Sequence, residues 1–415
     1  MNALERLPVD SPFRLAAEAL MKADPAARRA VPRLLKPFLK PMWEQPARLD
    51  EPLVLAVLDV VFEGSYPPPA DEYEQGPEQL VFALLGNVTP PALARIEAGF
   101  ATADRRVWLD LLTIALAART REAAQMVVRL VQRHGWPRRF HARFFHELSH
   151  HAANADVLYP ALLEVPEGPE VRLLDGLLGA LRGGTFDVTA LKGTALESSL
   201  AARLEALRTA SAGADVDAAE ARSRYAALLE LAGFLGGADV VEALKASLTA
   251  SDPWPATFGA VSLLRRNEAV PDEVFARLGA VDHVRVPLYE LLAGLGKQYL
   301  LPAAARSREA FAAANIAEWL AHPNELGRPP AALELMERVA LEHQGRPVEV
   351  FLWRFLDGTK PRWLAATSGP YELDAPEGPL SGDLTFSKFE PWDSRDAQGH
   401  LASIQQTLAS WAARR

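Results

Sequence analysis

Cysteine is absent from the 415-residue chain. Disulfides, thiolate metal ligands and cysteine nucleophiles are therefore excluded, and a reducing compartment would suit such a chain. No stretch approaches the roughly 18 uninterrupted apolar residues that a membrane span needs, so none is expected. The first residues, MNALER, lack the basic and apolar stretches of a secretory signal. These absences together predict a cytoplasmic protein.

Common catalytic signatures are also missing. The sequence contains no G-x-x-x-x-G-K-[ST] phosphate loop, no G-x-G-x-x-G after a strand-like run and no G-x-S-x-G elbow. Alternating strand-like runs are nearly absent before residue 363.

Charge is unevenly distributed along the chain. The formal net charge is −9, yet residues 1–151 carry 19 Lys/Arg against 18 Asp/Glu, and the remainder carries 25 against 35. An acidic protein is a poor general binder of nucleic acid, since that affinity comes mostly from neutralising phosphates. The balanced first part leaves room for a local basic patch.

Helical periodicity dominates from about residue 12 to 358. Apolar residues recur at three- and four-residue spacing in residues 53–61, 107–116 and 226–235. Proline and glycine then mark predicted helix ends. Prolines near predicted helix starts stand in Asp252-Pro253, Val270-Pro271-Asp272 and Gly345-Arg346-Pro347, and glycines past predicted helix ends are Gly135, Gly183-Gly184 and Gly236-Gly237.

The helical pattern recurs with a period near thirty residues. LAGFLG at 231–236 is echoed by LAGLG at 292–296, with VSLLRRN at 261–267 between them. Aligning Leu235, Leu264 and Leu295 gives steps of 29 and 31 residues. The chain thereby resembles HEAT-like α-solenoid repeats, clearly over 224–298 and loosely from 78 to 350. In such repeats, neighbouring helix pairs complete one another's core. A compact irregular helical bundle is the alternative.

The predicted fold class is therefore all-α: an α-solenoid of stacked antiparallel helix pairs (HEAT/armadillo-like) over 1–358, followed by a small C-terminal α+β cap over 359–415. Residues 363–367 and 384–389 read as strands, and 396–413 as a final helix. The proline-rich residues 64–78 read as an exposed connector. Six aromatic residues are expected to cover the open end of the stack: Trp353, Trp363, Tyr371, Phe386, Phe389 and Trp392.

One stretch matches a catalytic motif. His146-Glu147-Leu148-Ser149-His150 fits H-E-x-x-H, in which two histidines one turn apart bind zinc and the glutamate activates a metal-bound water. Asp156 is the first candidate third ligand, by its spacing of ten residues from His146, although Ala153 stands where zincins of that kind have glycine. Later candidates are Glu164, Glu167 and Glu170. This pattern gives an alternative, a zinc metallopeptidase-like hydrolase.

A helical wheel argues against that hydrolase. It places Phe140, Phe144 and Leu148 on one side, with His146 and His150 opposite them. The histidines share their side with Arg139 and Arg143, whose charges would repel a dication. A solvated face rich in His and Arg is the simpler interpretation.

Arginines around this motif form a second candidate site. Residues 119–151 hold seven arginines against two acids. Arg129 and Arg133, like Arg139 and Arg143, are one turn apart, so stacked helices would align them into a cationic stripe. The stripe could bind an acidic protein or nucleic acid, and ordinary surface arginine is an equally good interpretation.

We therefore predict a non-catalytic helical-repeat scaffold that binds another macromolecule, a protein in preference to nucleic acid, without membrane association or cofactor. Zinc is the cofactor of the hydrolase alternative, and nucleic-acid binding through residues 119–143 is the other alternative.

Overall fold

The computed structural model describes residues 49, 51–63, 81, 84–212, 216–343, 345–358, 362–374, 378–380 and 385–412. The helical pattern before residue 49 and the connector at 64–78 lie outside these residues. The chain divides into two compact units: residues up to 207 with 213–231, and residues 208–212 with 232–415.

The first unit is helical throughout its described part. Thr89 and Thr120 begin two of its helices, because their hydroxyls accept the N–H groups of Ala92 and Ala123. Its helices are α1 Glu51–Glu63, α2 Pro90–Gly99, α3 Trp108–Ala117, α4 Arg121–His134, α5 Ala142–Ser149, α6 Ala155–Leu163, α7 Glu170–Arg182, α8 Ala195–Ala210 (whose last three residues belong to the other unit) and α9 Val216–Leu231.

Helices of the first unit pack in two rows. One row runs α3, α5, α7 and α9, each packed against the next, and the other runs α2, α4 and α6. The helix α3 also packs against α4, and α6 against α7. Residues such as Leu112, Val127 and Leu174 are completely buried between them. The apolar faces seen in the sequence therefore meet one another, as the packing of amphipathic helices requires.

The second unit contains six α-helices in its described part. They are α10 Ala238–Ser247, α11 Pro253–Arg265, α12 Asp272–Gly279, α13 Asp282–Ala293, α14 Arg308–Ala321 and α15 Ala397–Ala412. The predicted start at Asp252-Pro253 is confirmed, because the Asp252 carboxylate caps α11 by accepting the N–H of Trp254. Helices α11, α12 and α13 enclose a core centred on Phe275 and Leu288.

A recurring contact marks the aligned positions of the sequence repeat. Arg266 stands two residues after Leu264, and Lys297 two residues after Leu295. The Arg266 guanidinium donates to the carbonyls of Ala232, Leu235 and Gly236, and Lys297 Nζ donates to the carbonyl of Leu264. Each cation thus donates to carbonyls near a helix end in the preceding aligned segment, some thirty residues back.

A four-stranded antiparallel sheet follows α14. Its strands are β1 Ala332–His343, β2 Arg346–Leu356, β3 Trp363–Glu372 and β4 Phe386–Pro391, in the order β1-β2-β3-β4. Phe351, Trp353 and Phe355 of β2 pack with residues of α14 on one face. On the other face, Leu352 packs with Leu401 and Ile404 of α15. The sheet therefore lies between two helices.

The all-α solenoid predicted as the fold class is wrong. The described residues are mostly helical, but they include a separate four-stranded sheet, of which β1 and β2 fall where helix was predicted. In β1, Leu, Ala, Met and Glu recur at helical spacing and have high helix propensity. In β2, both faces are covered, so its apolar run does not alternate. Gly345 forms the intervening turn (φ = 75°), where a helix start was predicted.

Later predictions for the C-terminal part agree with the structure. The strands expected at 363–367 and 384–389 appear as β3 and β4, and the final helix as α15. The sheet draws strands from both sides of residue 358, and the division into domains at that position stays a prediction. No helix of the described part is long and apolar enough to cross a membrane.

Candidate functional site

The H-E-x-x-H motif lies on α5. His141 caps this helix, because its Nδ1 accepts the N–H of Phe144 at 3.3 Å. Phe144 and Leu148 are buried, whereas His146 and His150 are exposed with their ring centroids 4.4 Å apart. The two motif histidines therefore lie side by side at the surface, on the face that the helical wheel predicts.

The remaining groups of a zinc site do not join them. Glu147 is only 7% exposed, on the buried side of α5. The carboxylate of Asp156 accepts two hydrogen bonds from Arg121, at 3.2 and 2.8 Å, which hold the pKa of Asp156 below its usual value. Among the described residues, no three His, Asp or Glu side chains are grouped so that they could hold a metal ion. The zinc alternative thus stays a prediction without an identified third ligand.

The residue after the motif, His151, has a structural environment. It is 1% exposed, and its Nε2 donates to the carbonyl of Leu116. Asn154 Nδ2 donates to His151 Nδ1 at 3.3 Å, so both ring nitrogens are occupied in the neutral form. Burial lowers the pKa of His151, because the charged imidazole would lose its hydration.

The structure separates the members of the predicted cationic stripe. Arg129 forms an ion pair with Glu97 at 2.8 Å, while Arg133 is exposed near the end of α4. Arg139 precedes α5, so it shares no helix face with Arg143. Moreover, α4 packs against α3 and α6, whereas α5 packs against α3 and α7. The arginines lie along one stretch of chain and not on two adjoining helix faces.

Residues 133–150, hereafter the basic segment, nevertheless have a one-sided charge. They contain four arginines and a single acid, Glu147, whose side chain is buried. Arg133, Arg138 and Arg139 are exposed. The surface that this segment presents is therefore cationic, without a compensating carboxylate of its own.

Another candidate site lies in the second unit, where the sequence contains no motif. A pocket between β3, β4 and α15 has about 20 Å³ of internal space, and its volume reaches about 300 Å³ only when open solvent is included. Its apolar walls are Leu352, Ala365, Ala366 and Ile404, and its polar groups are Thr367, Glu390, His400 and Ser403. Internal space of this size is about what one water molecule needs.

Thr367 is an unusual group in this pocket. It lies on β3 and is only 3% exposed. Its hydroxyl has no hydrogen-bond partner within the described chain. A buried polar group without a partner costs about 1–3 kcal/mol, so such groups call for an explanation.

Glu390 reaches the pocket through a bulge of β4. Ala366 pairs with Ser387 and Leu364 with Pro391, so residues 388–390 all lie opposite Ala365. Within the bulge Phe389 has φ = 51°, a conformation that bulky residues rarely adopt and that is associated with functional sites. Glu390 Oε1 accepts hydrogen bonds from Arg395 Nε at 2.6 Å and Ser394 Oγ at 3.1 Å. The Arg395 contact is the main cause of the lowered pKa of Glu390.

His400 occupies the α15 side of the pocket. It is 3% exposed, and its ring stacks on Trp392 with centroids 5.0 Å apart. His400 Nε2 lies 3.0 Å from the carbonyl oxygen of Trp392. Because a carbonyl only accepts, Nε2 carries a hydrogen and donates it to the carbonyl of Trp392.

Sequence reasoning missed this pocket. Its polar groups come from three different elements. Thr367 and Glu390 are more than twenty residues apart in the sequence, and Glu390 and His400 are ten residues apart. No spacing rule connects them, and the prediction treated this part of the chain as a cover for the helices. Phe389, which was expected to contribute to that cover, is 39% exposed.

Comparisons with known proteins add no relative. No protein-family model matches the chain, and neither the curated proteins nor the solved structures contain a match to it.

Proposed function

We propose that the protein is a non-catalytic scaffold that binds an acidic segment of another protein through the basic segment, residues 133–150. One observation carries this proposal: the segment exposes Arg133, Arg138 and Arg139 at its surface, while its only carboxylate, Glu147, is buried. Exposed charges of one sign attract a partner of opposite sign and accelerate its association.

An acidic protein fits this surface better than nucleic acid does. Arg121 and Arg129, which would extend a phosphate-binding track, already pair with Asp156 and Glu97. The Trp136 ring contacts Phe140 and Phe144 with centroids 5.7 and 6.1 Å away, so it packs inside the protein and is a poor platform for bases.

Two further statements belong to this proposal. The recurring contacts of Arg266 and Lys297 support a relationship between these helix pairs and HEAT-like units, which commonly serve as binding surfaces. The complete lack of cysteine supports a cytoplasmic location.

Charge reversal tests the proposal. We would measure the affinity of the full chain for a fluorescent oligoglutamate peptide by anisotropy, for the wild type and for Arg138→Glu/Arg139→Glu. The reversed chain should bind roughly tenfold more weakly, because each reversal replaces an attraction with a repulsion. Arg172→Glu/Lys192→Glu makes the same change of net charge at exposed positions elsewhere in the first unit and should bind like the wild type.

Two results would contradict the proposal. The first is an equal loss of affinity in both double variants, which would mean that only net charge matters. The second is tighter binding of a single-stranded oligonucleotide than of the peptide, with an affinity that falls steeply as salt rises. That second result would favour the nucleic-acid alternative.

A further inference from the structure

The sheet of the second unit, as far as the chain is described, ends in two edge strands that differ. The strand β4 is six residues long, its pairing with β3 is interrupted by a bulge, and it ends at Pro391. Short length, bulges and proline all discourage a further strand from adding to an edge. The strand β1 is twelve residues long and contains no proline. The edge formed by β1 is therefore the one suited to accept another strand.

Residues 337–343, hereafter the open edge, are the regular part of β1. A bulge lies between Leu335 and Glu337, and beyond it the pairing with β2 continues without interruption as far as His343. Apart from this pairing, the open edge makes no backbone hydrogen bond within the described part of the chain. An edge strand directs alternate N–H and C=O groups away from its neighbour, so the open edge retains donors and acceptors for a second strand.

The side chains of the open edge are complementary to those of a second, antiparallel copy. The centre of this complementarity is Ala340, which is exposed. When Ala340 lies opposite Ala340 of the second copy, the flanking residues form three kinds of pair, each of which occurs twice: Arg338 with Glu342, Val339 with Leu341, and Glu337 with His343. Opposite charges and paired apolar groups in directly opposite positions stabilise a strand pair.

Other registers lack this match. A shift of two residues places Val339 opposite Val339, or Leu341 opposite Leu341, and leaves Arg338 without an acid opposite it. A shift of four residues places Arg338 opposite Arg338, or Glu342 opposite Glu342, and like charges in these positions destabilise the pair. An odd shift would turn the side chains of one strand to the wrong face. The charges of the open edge therefore favour a single register.

The side chains of the open edge are available for these contacts. Arg338 and Glu342 are exposed. The Nε of Arg338 donates to Glu349, and a guanidinium has further N–H groups with which to reach Glu342 of a second copy. On the other face, Val339 is only partly buried, beside the apolar cluster of α15. A second copy would cover Val339 with its Leu341.

We propose that two copies of this chain associate through their open edges, antiparallel and with Ala340 at the two-fold axis, so that their sheets join into one. The partner is a second copy because the open edge supplies both members of each charged pair from its own sequence. A contact of this kind is closed by its two-fold symmetry, so it gives a dimer and not a filament.

Sedimentation equilibrium of the full chain, at concentrations up to its solubility limit, tests the association. The wild type should show a reversible equilibrium between monomer and dimer. Glu342→Arg should weaken the dimer roughly tenfold or more, because an arginine then lies opposite Arg338 twice in each dimer. Glu290→Arg makes the same change of charge at an exposed position on α13 and should dimerise like the wild type. Circular dichroism should show both variants folded, since both positions are exposed or nearly so.

Cross-linking tests the register. The chain contains no cysteine, so Ala340→Cys introduces a single thiol. In the proposed dimer the two thiols lie directly opposite each other, and a short bismaleimide should link them efficiently. Ala304→Cys places a thiol at another exposed alanine of the second unit, outside the sheet, and should remain largely unlinked.

Three outcomes would overturn the proposal. A chain that stays monomeric up to its solubility limit would leave the open edge to a strand of a different protein. Equal dimerisation of Glu342→Arg and the wild type would mean that the pair of Arg338 and Glu342 is not formed. A dimer in which Ala340→Cys links no better than Ala304→Cys would place the contact elsewhere on the molecule.

Discussion

Arginine side chains serve different purposes in two regions of the molecule. In the second unit, Arg266 donates to three backbone carbonyls, and Arg285, only 6% exposed, donates to the carbonyls of Gly279 and Ala310. In the basic segment of the first unit, Arg138 and Arg139 are exposed instead. The same residue type therefore holds helix ends together in one region and remains at the surface in the other. The density of arginine in a sequence does not distinguish these uses.

The largest effect expected from this difference is on Arg285. Arg285→Met would leave the two carbonyls without their donor and Asp282 without the guanidinium that lies 2.7 Å from it. We expect the unfolding free energy of the second unit to fall by roughly 3 kcal/mol, because the hydrogen bonds donated by a buried, charged guanidinium are lost. Urea unfolding, followed by circular dichroism, measures this change.

Arg139→Met is the matched control for that experiment. The same substitution at an exposed arginine of the basic segment should change stability by less than about 0.5 kcal/mol. Equal effects of the two substitutions would refute the distinction between structural and surface arginines.

The first unit allows a similar comparison between a buried and an exposed histidine, His151 and His150. The expected effect on stability is smaller. His151 is buried in its neutral form, and burial lowers its pKa. Its unfolded pKa is about 6.5, so below that pH the unfolded chain binds more protons than the folded one. The His151 contribution to stability is therefore complete above about pH 6.5 and is lost as the pH falls toward the lowered pKa.

His151→Gln should reduce that loss, since glutamine can donate to the Leu116 carbonyl but does not titrate. The test is the slope of the first unit's unfolding free energy against pH, measured between pH 7.5 and pH 5. His150→Gln changes an exposed ring and should leave the slope as it is in the wild type. An equal slope in His151→Gln and the wild type would show that His151 does not cause the acid sensitivity.

These residues also show how far a sequence can be interpreted. The buried and exposed faces of α5 follow from helical periodicity, and the start of α11 follows from Asp252 and Pro253, because both are local properties. The strand β1 was mispredicted because its leucines and glutamates have helical spacing and propensity, which pairing with β2 overrides. Local signals could not reveal that contact.

The two candidate sites differ in the same way: one follows from a local sequence signal and the other from tertiary contacts. The motif His146 to His150 is contiguous, so the sequence displays it, yet Asp156 is engaged by Arg121. The pocket of Thr367, Glu390 and His400 is assembled by strand pairing and a bulge, so no spacing in the sequence predicts it. A contiguous motif can therefore be seen without forming a site, whereas a site assembled from distant residues cannot be seen in the sequence.

The smallest expected effect concerns the motif itself. Two imidazoles on one helix face provide half of a tetrahedral zinc site, and the described residues add no third ligand to them. We expect less than one zinc per chain after purification without chelators, with the same content in His150→Ala. The stability of that variant should differ from that of the wild type by less than about 0.5 kcal/mol, because the ring is exposed. One zinc per chain, lost in His150→Ala, would instead require a ligand from outside the described residues or from a substrate. The hydrolase alternative would then become the better account of the first unit, and the arginines beside the histidines would have to tolerate a dication.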